Sequence, residues 1–181
     1  MVHTTPKTLR VGTLIPMVPI APIPENCIET SAGPVTFVVE SRQLTPDLVN
    51  EDALSKDGLV DRNVPADLDD FGAALHVYGA GDGLEYLRFD CFEHDAHYHY
   101  ILNKKRAHIV CPLDKAALGD PLAWTVSRLR ERLPEMLEHA GAPELAAAVR
   151  EEKQDVLSAV DQVQRLLEKA QIQAIDDRKR R

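Results

Sequence analysis

The sequence predicts an α+β fold: a small antiparallel β-meander, a C-terminal helical hairpin with a long coiled-coil-like last helix, and an extended Pro-rich N-terminal arm. Three observations predict it. Apolar residues alternate with a period of two between residues 71 and 114. They recur at spacings of three and four after Pro112. Before residue 33, prolines interrupt every apolar run.

Residues 1–33 form the arm. Pro16, Pro19, Pro22 and Pro24 remove ladder donors and push their predecessors into extended conformations. Leu14, Ile15, Met17, Val18, Ile20 and Ile23 are too many to leave in water, so the arm is expected to lie on a surface, of this chain or another. Residues 34–70 read as a strand followed by an acidic connector. GPVTFVVES begins with a Gly-Pro turn and is β-branched. The connector carries Asp47, Glu51, Asp52, Asp57, Asp61, Asp67, Asp69 and Asp70, with one short helix near 46–55. Its acids lack the alternating spacing, central Gly and terminal Glu of a calcium loop, and are expected to be solvated.

Residues 71–114 hold four short strands, AALHVY, LEYLRFDCF, HYHYIL and AHIVC, joined by connections that allow only antiparallel neighbours. Seven of the nine aromatic residues lie between Phe71 and Tyr100, so the most specific packing is expected here. GAGDG precedes a strand, not a helix, and therefore reads as a hairpin turn instead of a phosphate loop.

Residues 118–177 form the helical part. Asp120-Pro121 is an N-cap followed by proline at the first helical position, and Pro134 is expected to kink or split the helix it starts. Gly141 stops it and Pro143 opens a last helix over 143–177. Ala146, Val149, Lys153, Val156, Val160, Val163, Leu167, Ala170 and Ala174 make a heptad seam along that helix. The preceding helix is too short to cover it. Val156, Val160, Val163, Leu167, Ala170 and Ala174 are therefore candidate interface residues for a homo-oligomer or a larger complex, with folding back onto the sheet as the rival. The basic tail 178–181 complements the helix dipole.

The formal charge of −8 argues against general nucleic-acid binding, and the broken apolar stretches supply no membrane-spanning segment. Cys27, Cys91 and Cys111 are odd in number and without C-x-x-C spacing, which places the chain in a reducing cytoplasm with free thiols.

Chemistry concentrates in FEHDAHYHYIL, residues 92–102. Tight turns predict that Asp90 pairs with His99, Phe92 with His97, His76 with Tyr86 and His108 with Ile101. One sheet face then collects Leu75, Val77, Leu87, Phe89, Cys91, Tyr98, Tyr100, Leu102, Ile109 and Cys111. The other collects His76, Tyr86, Arg88, Asp90, His97, His99 and His108. Asp90, His97 and His99, with His108 at the margin, are candidate ligands for Zn or Fe, and two imidazoles with a carboxylate suit either, while a face that is simply solvated or covered by another chain is the rival reading. Arg88 or Tyr86 would orient an anionic substrate. His94, in the turn, is expected to be exposed. No cofactor is fixed by motif.

Two functions fit. The first is a non-catalytic assembly or accessory subunit that oligomerises through its last helix and clasps a partner or sister chain with its arm. The alternative is a small metal-dependent enzyme with a 2-His-1-carboxylate site on the polar face of the sheet.

Overall fold

The computed structural model describes residues 12–55 and 66–180. The first eleven residues of the arm, Asp57 and Asp61 of the connector, and Arg181 lie outside them. The described residues form an α+β fold with one antiparallel sheet of seven strands, in the order β1-β7-β6-β5-β4-β3-β2. These are β1 (Thr13–Ile15), β2 (Cys27–Ala32), β3 (Val35–Leu44), β4 (Asp70–Gly79), β5 (Glu85–Phe92), β6 (His97–Leu102) and β7 (Ala107–Pro112). The helices are α1 (Pro46–Ser55), α2 (Lys115–Leu118), α3 (Pro121–His139), α4 (Pro143–Glu151) and α5 (Lys153–Lys179). None of them is long and apolar enough to cross a membrane.

Helices α3, α4 and α5 cover one face of the sheet. Phe37, Leu75, Leu87 and Phe89 from the strands are buried with Leu129, Leu133, Val160, Val163 and Leu167 from the helices in one cluster. Asp120 caps α3 by accepting from Leu122 and Ala123 N–H groups. Pro134 sits inside α3 without splitting it.

The last helix departs from expectation in two ways. It breaks at Glu152 (φ −100°, ψ 30°), so α4 turns against α3 while α5 runs on over the sheet. Lys153, a seam position by spacing, is therefore exposed. Second, Val156, Val160, Val163, Leu167, Ala170 and Ala174 are buried within this chain, where α5 packs on β2, β3 and β4. The expected interface is thus a core seam. An apolar stripe of this width is satisfied by a sheet as well as by a second helix.

The described part of the arm, residues 12–33, is also spent inside the chain. It begins with β1 and ends with β2, at opposite edges of the sheet, and the residues between them cross the face that the helices leave open. The arm and the meander therefore share one sheet.

Two turns differ from the tight hairpins expected. Around residues 93–96 the carboxylate of Asp70 accepts from the His94 and Asp95 N–H groups, and Glu93 N–H donates to Phe71. The wider turn shifts β5 against β6 by two residues, so Asp90 pairs with His97 and Arg88 with His99. Asp70 is accordingly buried, not solvated. In the β4–β5 hairpin a bulge at Val77/Tyr78 leaves His76 opposite Arg88 instead of Tyr86. The β6–β7 pairing is as expected, with Ile101 opposite His108. A shift of two keeps every side chain on its face, so the two faces sort as predicted except at the bulge. There Glu85 turns to the polar face and Tyr86 packs against the helix-side core.

Candidate metal centre

The polar face is built from alternate residues of five strands, and almost all of it is buried under the arm. Asp90 stands at its centre. His99 Nε2 lies 3.0 Å from Asp90 Oδ2, and His97 Nε2 lies 3.3 Å from the same oxygen. One ligand atom from each of the three residues falls within 4.8 Å of the others. With metal–ligand bonds of about 2.1 Å, neighbouring donors stand about 3.0 Å apart at a right angle and about 3.4 Å at a tetrahedral one. The two Asp90 distances fall in that interval.

The ring orientations are partly fixed from outside the cluster. His97 Nδ1 donates to the Asp95 carbonyl at 2.6 Å, which leaves Nε2 to face Asp90. Metal-binding histidines show this arrangement, an outer acceptor holding the tautomer. His99 has no such partner. Its Nδ1 and Asp90 Oδ1 are buried without a hydrogen bond. An unpaired neutral atom of this kind costs about 1–3 kcal/mol in lost solvation, and a charged one more.

Protons distribute unevenly across the cluster. Burial opposes ionisation of Asp90, but hydrogen bonds and charge from His97 and His99 overcome it and hold the carboxyl well below its usual range. Burial also works against a charged His97, yet the bond to Asp90 and its negative charge lift that ring to about 9. For His99 burial dominates the same partner, and the ring falls to about 4. Asp90 thus supports one imidazolium, not two.

His108 lines the same cavity without joining the three-atom cluster. Its ring packs 5.0 Å from that of His99, centre to centre, and its Nδ1 donates to the Met17 carbonyl at 2.6 Å. It holds the arm. His94 is exposed.

Arg88 and Tyr86, the residues expected to orient a substrate, are both engaged by partners within this chain. Arg88 grips Glu85 through Nε and Nη2, at 2.9 and 2.8 Å, and spends Nη1 on the Ile20 carbonyl at 2.6 Å. Tyr86 donates to Asp82 at 2.6 Å on the other side of the sheet.

Glu40, Arg42 and Glu85 belong to this face and were not expected there. Arg42 pairs with Glu40 at 2.8 Å, and Glu40 also accepts from Ile23 N–H of the arm. His76 lies between the carboxylates of Glu85 (2.7 Å) and Glu40 (3.2 Å). Arg88 draws Glu85 down to about 2 against the effect of burial. The signal for Glu40 and Arg42 was the period of two carried through VTFVVESRQL, which puts both on the same face as Val38 and Leu44.

Between the arm and this face lies a cavity of about 390 Å³. Asp90, His97 and His99 line one part of it, and Ile15, Met17, Ile20, Leu44, Phe92 and Val110 are among the apolar residues lining the rest.

No curated protein and no solved structure matches the chain. A family model described as a domain of unknown function (DUF7700) matches residues 29–167, a span that includes Asp90, His97 and His99, and the chain belongs to that family.

Proposed function

We propose that this protein is a small metal-dependent enzyme with a mononuclear centre at Asp90, His97 and His99. One observation carries the reading: three donors of the right chemistry converge on a cavity while Asp90 Oδ1 is buried with no partner. A cluster serving only the fold would satisfy that oxygen. Two imidazoles and one carboxylate suit Zn²⁺ or Fe²⁺, and three protein ligands leave coordination positions for water, oxygen or substrate. Bound metal would supply Lewis-acid or redox chemistry. The chain's own residues hold the cluster, bury Asp90 and His99, and fix the His97 tautomer through Asp95.

The assembly reading loses its main supports, because the heptad seam and the arm both pack on this chain's own sheet. Free thiols at Cys27, Cys91 and Cys111 suit a reducing compartment such as the cytoplasm.

Metal analysis of protein purified without a histidine tag tests the proposal. The expected result is about one equivalent of a transition metal per chain after reconstitution, lost in Asp90→Asn with the circular dichroism spectrum retained. Less than about 0.2 equivalents in the unsubstituted protein would sink it.

A further inference from the structure

The cavity beside the candidate centre also constrains what could bind there. Each arginine in its wall is already matched. Arg42 is paired with Glu40, and Arg88 with Glu85, at 2.8 Å in both cases. Both guanidinium groups further donate to carbonyls of the arm, Arg88 to Ile20 and Arg42 to Ile20 and Ala21. Neither is left to grip an anion at a distance from the centre. Among the described residues Asp90 is the sole carboxylate lining the cavity, and it offsets one of the two charges a divalent ion would bring. The second charge would sit unmatched beside the buried Asp90 and His99, where an uncompensated charge is costly.

Ile15, Met17, Pro19, Ile20, Leu44 and Val110 make much of the remaining wall apolar. A volume of about 390 Å³ lies at the small end of the usual range for small-molecule sites.

Resting on the metal reading above, we propose that the cavity takes a small organic monoanion with an apolar body. Its anionic oxygen would ligate a metal held by Asp90, His97 and His99, and its hydrocarbon part would lie against Ile20, Leu44 and Val110 under the arm. Specificity then comes from two demands that no single wall residue meets. The metal requires the charge, and the arm-covered wall, with both of its arginines already paired to carboxylates, favours hydrocarbon over a second charged group.

The test uses the full chain loaded with cobalt(II), whose visible spectrum reports both loading and ligand exchange. Acetohydroxamate, benzohydroxamate and uncharged benzamide are titrated in turn. Benzohydroxamate should bind at least about 10-fold tighter than acetohydroxamate, since its ring adds buried apolar area. Benzamide should leave the cobalt spectrum unchanged. Ile20→Ala should narrow the preference for the phenyl ligand, and Leu44→Asp should weaken both anions. If Leu44→Asp fails to fold, the Ile20→Ala comparison carries the test alone.

Cobalt bound at Asp90 with no preference between the two hydroxamates, or with benzamide competing equally, overturns this inference and leaves the metal reading standing. Failure to bind cobalt at all removes both.

Discussion

His97 and His99 meet the same carboxylate oxygen and are driven in opposite directions. Asp90 lifts His97 to about 9, while burial takes His99 to about 4. Linkage gives these shifts opposite signs in stability. His97, raised above its ordinary 6.5, stabilises the metal-free fold fully below pH 6.5 and loses that contribution as pH rises through about 9. His99, lowered from 6.5, costs stability as pH falls from 6.5 through about 4. The metal-free protein should therefore contribute most from this pair near pH 6.5 and less on either side. Binding of a cation runs differently, because it must displace the proton on His97. Cobalt(II) affinity should rise by up to about 10-fold per pH unit and level off near pH 9. Titrations across that interval measure it, and a flat profile would mean that His97 is not a ligand. In His97→Gln the slope should vanish along with most of the affinity.

At the scale of strands, the arm is fastened to the sheet by side chains reaching its backbone. Arg88, Arg42 and His108 donate to carbonyls of Ile20, Ala21 and Met17, and Glu40 accepts from Ile23. A proline-rich segment is suited to this, since its carbonyls have few ladder donors to meet. Arg88→Ala leaves Glu85 buried without its cation and frees the Ile20 carbonyl. Loss of one partner of such a pair should cost about 3–5 kcal/mol in chemical denaturation. The Arg88→Ala/Glu85→Ala double variant should cost less than the sum of the singles, and limited proteolysis should cut between residues 16 and 23 in both. Equal, additive losses would show that the two side chains act independently. Much of this face was legible beforehand, because side-chain alternation survives any even register error. The strand neighbours were not. They depend on Asp70 drawing the 93–96 turn across β4, and on a bulge that exchanges Tyr86 for Glu85. Both are tertiary choices that turn length alone does not fix.

For the whole molecule, the decisive choice is what covers the seam of α5. Spacing identified Val156, Val160, Val163, Leu167, Ala170 and Ala174 as one stripe but could not name its partner, because a sheet and a second helix bury the same apolar width. The break at Glu152 settles the geometry by aiming α5 over β2–β4 instead of extending α4. It also brings the Glu152 carboxylate over Gly33, where φ is +56° and an added Cβ would collide with it. Helix α5 is thus a structural layer of the domain. A chain ending at residue 159 would lose Val160, Val163 and Leu167, all fully buried, and expose Phe37 and Leu75 beneath them. Removing even one such side chain typically costs about 2–5 kcal/mol, a large part of the stability of a domain this size. The truncated chain should therefore be unfolded or aggregated by circular dichroism and light scattering. An appended oligomerisation helix predicts the opposite, a smaller particle that keeps its fold. A folded, soluble truncation product with its thermal transition intact would return α5 to that role and show that the sheet does not need it as a cover.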